Sequence, residues 1–165
     1  DYQVKLWDVA ARAEVATLSG HKKEVYDVSF SPDGHLLASA GKDNAVRLWD
    51  VATEREVTVL RHGSGVTSVA FTPDGSALAA FQPVGNITIW DVAKRTERAR
   101  FGDRKARRRF LAMSPDGKML ATGYSNNASK LWDFKSGEQV DLLGRLASGS
   151  RWRPQRRCER RGIRA

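Results

Sequence analysis

Few side chains in this sequence could do chemistry. Ser39, His21 and Asp43 are the residue types of a hydrolytic triad: a hydroxyl nucleophile, a base that takes its proton and a carboxylate that orients the base. That chemistry needs the hydroxyl exposed in a cleft, and no G-x-S-x-G or H-E-x-x-H run accompanies these residues. A phosphate-cradling G-x-x-x-x-G-K-[ST] loop and a Gly-rich kinase loop are also absent. The three histidines (His21, His35, His62) and the single cysteine, Cys158, lack metal-ligand spacing, so no metal and no cofactor is expected. Asn86-Ile87-Thr88 and Asn127-Ala128-Ser129 match the glycosylation sequon. Both fall where a strand begins, with no secretory signal ahead of them, and are read as coincidence.

The elements that position these residues come from a repeat. Leu6-Trp7-Asp8 returns as Leu48-Trp49-Asp50, Ile89-Trp90-Asp91 and Leu131-Trp132-Asp133, with tryptophan spacings of 42, 41 and 42. Ser31-Pro32-Asp33-Gly34 returns as Thr72-Pro73-Asp74-Gly75 and Ser114-Pro115-Asp116-Gly117, each proline 17 residues before its tryptophan. Gly20-His21 has a counterpart in Arg61-His62. Within one unit, Val25, Val28 and Phe30 mark a first strand, and Pro-Asp-Gly makes a turn. A second strand follows over 35–41, a third over 45–50 and a fourth over 54–60.

On the Gly-His pair, the Pro-Asp-Gly turn and the closing Trp-Asp at this period, the chain resembles the WD40 repeat family over residues 1–144. The resemblance implies an all-β fold, a partial propeller of about three and a half four-stranded antiparallel blades. Residues 1–18 would form a half blade, 21–60, 62–101 and 104–143 full blades, and 145–165 an Arg-rich tail. It also implies that a His, a Ser or Thr, an Asp and the Trp of each blade form a buried hydrogen-bonded network. His21, Ser39, Asp43 and Trp49 make the complete set, which favours a core network over a catalytic triad. The next unit keeps His62 and Trp90 but has Ala80 and Val84 at the other positions. The last keeps Thr122 and Trp132, with Asn126 in place of Asp. Its first strand opens on Arg107, Arg108 and Arg109, where earlier units have Val25 and Val66.

Charge is uneven. The formal net charge is +9, of which residues 145–165 hold +7 and residues 1–144 only +2. A second basic cluster spans 94–109. The tail has too little apolar content to offset its ordering entropy and is expected to be disordered. It reads as an anion-binding arm, an inert tail or an out-of-frame translation, the last favoured because the repeat grammar stops abruptly. No apolar stretch approaches the roughly 18 residues of a membrane span, and a cytoplasmic location is expected. A chain opening on Asp1 reads as a piece of a longer one. An incomplete ring leaves blade edges open, so self-association through them is expected.

The leading functional expectation is a non-catalytic protein-interaction scaffold. Its rim candidates are Tyr26, Lys42, Thr67, Arg107 and Arg109. One alternative is the regulatory repeat segment of a larger enzyme, such as a kinase or nucleotide-binding switch protein. A second is nucleic-acid binding through the basic tail, with Trp152 stacking on a base, against which the near-neutral body argues.

Overall fold

The computed structural model describes residues 2–83, 85–102, 108–124 and 129–143. Among them there is no helix. The strands are β1 (Gln3–Asp8), β2 (Ala13–Ser19), β3 (Val25–Phe30), β4 (Leu36–Gly41), β5 (Ala45–Asp50), β6 (Arg55–Arg61) and β7 (Ser68–Phe71). Then come β8 (Ala77–Phe81), β9 (Asn86–Asp91), β10 (Thr96–Gly102), β11 (Arg108–Met113), β12 (Met119–Tyr124), β13 (Ser129–Asp133) and β14 (Gln139–Leu143). They form one two-stranded sheet, β1-β2, and three four-stranded antiparallel meanders, β3 to β6, β7 to β10 and β11 to β14. Arg107 and the Arg-rich tail lie outside the described residues.

Short turns with fixed chemistry set the meander. The Gly34 N–H donates to the Ser31 carbonyl at 2.9 Å, and Gly34 takes φ +75°. The Asp33 carboxylate accepts from the Ser31 hydroxyl (2.5 Å) and the His35 N–H (3.0 Å). Thr72 to Ser76 and Ser114 to Lys118 repeat the pattern. The Asp of each Trp-Asp pair organises the next turn: Asp8, Asp50, Asp91 and Asp133 accept from the N–H of Ala11, Thr53, Lys94 and Ser136, at 2.7 to 2.8 Å.

The β3 to β6 and β7 to β10 sheets are apolar on both faces, and strand alternation decides which neighbour receives each side chain. In the β3 to β6 sheet, Leu37 and Trp49 pack on Val4, Ala16 and Leu18 of β1-β2. Ala38, Ala40, Val46, Leu48 and Leu60 face the other way, onto Val69, Phe71, Leu78 and Trp90. From the third sheet Ala77, Ala79, Phe81, Ile87 and Ile89 meet Leu111, Leu120 and Trp132 of the fourth. The sheets therefore stack in chain order with a separate apolar core at each junction.

The inner strands are also tied by polar contacts. Asp27 Oδ2 in β3 accepts from the Ser68 hydroxyl (2.6 Å) and the Val69 N–H (2.9 Å) of β7. Ser68 Oγ in turn accepts from the Leu111 N–H of β11 at 3.4 Å. Phe110 holds the same place in β11, its ring lying over Gly123, where a Cβ would come within 2.1 Å of it. The first strand of the third sheet starts at Ser68, not at Val66 as the repeat suggests. The Val66 N–H is drawn to the Gly41 carbonyl of the preceding sheet (3.0 Å), and its side chain is fully buried there.

Equivalent positions of the inner strands differ in cover among the described residues. Val69 and Phe71 are 4% and 7% exposed, whereas Val28 and Phe30 are 47% and 54% exposed. The core between β1-β2 and its neighbour takes in Leu37 of β4 and Trp49 of β5 but reaches β3 only at Val25, and leaves Val28 and Phe30 uncovered. Trp7 is 58% exposed, while Trp49, Trp90 and Trp132 are buried. Phe71→Ala should cost about 3–5 kcal/mol by leaving a cavity. Phe30→Ala should cost under about 1 kcal/mol, as expected of an exposed site. Urea titrations of the two variants check the contrast.

Candidate functional site

The Gly20-His21 pair enters the β3 to β6 sheet just before its first strand and brings His21 against β4 and β5. His21 Nδ1 lies 2.9 Å from Asp43 Oδ1, and Nε2 lies 2.8 Å from Ser39 Oγ. The Trp49 indole N–H donates to Ser39 Oγ at 2.8 Å. The carboxylate can only accept, so it fixes the proton on Nδ1 and leaves Nε2 to accept the serine proton. Each proton then has one acceptor along Trp49, Ser39, His21 and Asp43. Asp43 Oδ2 accepts further from the Lys22 N–H at 3.0 Å. Burial pushes the Asp43 carboxyl up, but the Lys22 N–H, His21 and the Arg47 guanidinium outweigh it and hold the pKa below the usual carboxylate value. Gly41 makes room for the ring: a Cβ there would meet His21 Nδ1 at 2.5 Å and Asp43 Oδ1 at 2.7 Å.

Ser39 has no exposed surface, and its oxygen is held between an indole and an imidazole. Those contacts give it the geometry of a clamp between strands, with no path for a substrate to the hydroxyl.

The next sheet shows what happens when the clamp loses its centre. His62 is buried beside Trp90, ring centroids 5.4 Å apart and edge to face. With Ala80 where the serine would stand, neither ring nitrogen of His62 and not the Trp90 indole N–H has a hydrogen-bond partner among the described residues. The Thr88 hydroxyl and Gln82 Oε1 are unpartnered as well. Val84 lies outside the described residues. In the last sheet Trp132 donates to Thr122 Oγ1 at 3.0 Å, so the threonine replaces the serine there. Asn126 is outside the described residues.

Of the rim candidates, Tyr26 sits at the irregularity between Val25 and Asp27 in β3 and is half exposed. Lys42 follows β4. Its N–H donates to the Glu24 carbonyl (2.9 Å) and its ammonium to the Glu24 carboxylate (3.1 Å). The Glu24 contact, with a smaller electrostatic contribution from Tyr26 and Tyr2, raises the Lys42 pKa. Thr67 is the counterpart of Tyr26 one unit on. It is half buried, and both its N–H and its hydroxyl donate to the Phe81 carbonyl. Arg109 lies in β11. Tyr26 and Lys42 thus share one patch, and Thr67 is turned towards its own sheet. Glu24 and Tyr2 belong to that patch and were missed in the sequence, where neither stands at a repeated position. Asp27 was missed too; its one signal was a carboxylate inside an apolar strand.

Ser39→Ala should destabilise the chain by about 2–3 kcal/mol, because it leaves His21 Nε2 and the Trp49 N–H buried and unpaired. Ala80→Ser should do the reverse in the next sheet, by about 1 kcal/mol. Thermal and urea unfolding measure both. His62 sets a pH dependence: burial, aided by Arg100 and opposed by Glu97, lowers its pKa from 6.5 to about 4. The unfolded chain therefore takes up a proton that the folded chain refuses. Stability is full above pH 6.5 and falls as the pH drops towards 4, by about 3 kcal/mol over the whole window. His62→Leu should flatten that slope in urea midpoints taken from pH 7 to pH 4.5. Asp43 acts lower, its contribution being lost only as the pH falls through its depressed value.

The family model described as "WD domain, G-beta repeat" matches residues 12–50, 54–81 and 109–133. Among curated proteins, the chain is 32% identical over 147 residues to the guanine nucleotide-binding protein subunit beta of Arabidopsis thaliana, covering 87% of this chain and 29% of that protein. It is 45% identical over 65 residues to the nuclear distribution protein PAC1 of Arthroderma otae (38% of this chain, 14% of that protein). It is 52% identical over 48 residues to the pre-mRNA-processing factor 19 homolog 2 of Arabidopsis thaliana (29% and 9%). The chain thus spans less than a third of the length of these relatives. With the family model matching three segments that touch all four sheets, and the repeated turn and indole geometry, the chain belongs to the WD40 repeat family.

Proposed function

We propose that this segment serves as a non-catalytic protein-interaction scaffold whose contact patch is built around Tyr26 and Lys42. The observation that carries the reading is a half-exposed tyrosine beside an exposed lysine on a backbone that cannot shift freely. The Lys42 N–H is bonded to the Glu24 carbonyl, and the Gly41 carbonyl accepts from Val66 of the next blade. Aromatic and cationic side chains held on a rigid frame are favoured anchors for a protein partner. The Lys42–Glu24 ion pair is exposed, so a partner carboxylate could displace Glu24 at little cost. One matched relative is named as a subunit of a larger protein, which fits a role carried out through contact. The buried Ser39 hydroxyl supports the non-catalytic part of the reading.

The test is site-specific photo-crosslinking from position 42 in cells expressing the full-length protein. A discrete crosslinked protein that weakens at least fivefold with Tyr26→Ala, at unchanged melting temperature, is expected. A crosslinking pattern that Tyr26→Ala leaves unaltered would sink the reading.

A further inference from the structure

Two repeat positions that are apolar or small elsewhere carry charge in one junction. In each outer strand (β2, β6, β10 and β14) the register slips by one residue opposite the step into the tryptophan. The extra residues are Val15, Val57, Arg98 and Val140. Val57 is half buried against the core that its sheet shares with the next, whereas Arg98 is exposed. The turn after each Trp-Asp pair departs in the same way. Val-Ala follows at 9–10, 51–52 and 92–93, but Phe134-Lys135 follows the last pair. Arg98 and Lys135 line one groove, a cavity of about 380 Å³ between the β7 to β10 and β11 to β14 sheets. That is a size suited to an organic guest, about 300–1,000 Å³ being usual. Both walls are whole four-stranded sheets, so a further repeat has no place between them. Ile89 and Phe134 belong to the apolar core of this junction and form the floor. At one end the two Pro-Asp-Gly turns meet, and a Cβ on Gly117 would lie 3.1 Å from Pro73 Cδ. Arg100 of the same outer strand is paired with Glu97, but neither Arg98 nor Lys135 has an ion-pair partner among the described residues. Asp74 and Asp116, also in the wall, are committed to their turns. Asp74 Oδ1 accepts from the Thr72 hydroxyl (2.6 Å) and the Ser76 N–H (3.0 Å). Asp116 Oδ1 accepts from the Ser114 hydroxyl (2.6 Å) and the Lys118 N–H (3.1 Å). The charge left unanswered in the groove is therefore positive.

We propose that this groove receives an extended segment of a partner protein in which an acidic side chain stands beside a large apolar one. Arg98 and Lys135 take the carboxylate, and Ile89 and Phe134 take the apolar side chain. Charge complementarity selects this occupant. The chain's own Arg-rich tail, +7 over residues 145–165, has the wrong sign. A nucleic acid would bring a row of phosphates against Asp74 and Asp116. A peptide brings a single acid together with backbone N–H groups, which those two carboxylates can accept. Exposed ion pairs contribute little singly, so the apolar floor supplies affinity and the two cations choose the partner. The pairing also gives a place to part of the basic cluster at 94–109, which the rim patch leaves unused. The inference rests on the scaffold reading only in that the occupant is a protein, and it uses none of the residues of that patch.

The probe is a phage-displayed library of random heptapeptides, selected on the 165-residue chain and counter-selected on its Arg98→Glu/Lys135→Glu double variant. Enrichment of peptides with Asp or Glu next to Leu, Ile or an aromatic residue is expected. A synthetic copy of the most enriched peptide should bind saturably and shift the methyl resonances of Ile89 and Ala99. The double variant should bind it at least tenfold more weakly. Both replaced side chains are exposed, so the unfolding curve of the variant should match the parent. Replacing the peptide's acid by the corresponding amide should weaken binding by a similar factor. No enrichment over the double variant overturns the proposal, as does enrichment of basic peptides. So does displacement of the peptide by an equal concentration of inorganic phosphate or of a single-stranded oligonucleotide, since the occupant would then be a free anion or a nucleic acid. Tyr26→Ala and Lys42→Glu should leave peptide binding unchanged, which separates failure here from failure of the rim reading.

Discussion

The β3 to β6 and β7 to β10 sheets are each apolar on both faces, and neither can bury both by itself. That constraint governs the architecture. Strand alternation sends Leu37 and Trp49 one way and Ala38, Ala40, Val46 and Leu48 the other, so a blade is half of two cores. Burial accumulates by addition of neighbours, as in other repeat proteins. The indoles of the four Trp-Asp pairs show the rule: three have a sheet in front of them and are buried, and Trp7, with none among the described residues, is not.

The polar clamp is best understood against that background. An indole packed between sheets must place its N–H somewhere, and the cheapest acceptor is a hydroxyl on the adjacent strand. Ser39 and Thr122 supply it, and both accept at 3.0 Å or less. His21 and Asp43 extend the chain of bonds in one blade and lock the Gly-His entry to the third-strand turn. The blade with Ala80 keeps the apolar packing and loses the bonds. It still stacks in the same order, so burial of the apolar faces determines the blade and the clamp refines it.

Much of this could be read in the sequence because turns and indoles recur in phase. Pro-Asp-Gly and Trp-Asp mark chain reversals whose chemistry is local, involving residues two to five apart, and local chemistry is legible from order alone. The four strands of the type unit, near 25–30, 35–41, 45–50 and 54–60, fall within a residue of β3 to β6. What could not be read are contacts made across one whole repeat. Asp27 bonds residues 41 and 42 positions away, and in a linear chain it looks like a solvated charge. The same holds for Val66, which the period assigns to a strand start but which the preceding sheet captures. Of the five rim candidates, Tyr26 and Lys42 come together. Thr67 bonds inward, since a small hydroxyl can fold back on the backbone and a tyrosine cannot.

The tie between inner strands changes character along the stack. It begins as a carboxylate gripping two donors at Asp27, becomes a single long contact to a hydroxyl at Ser68, and ends at Phe110, which can accept nothing. The hub of the array is thus graded in mechanical strength. A pull applied between the first and last of these strands would meet least resistance where β7 meets β11, so the β11 to β14 sheet would swing away while the β3–β7 junction held.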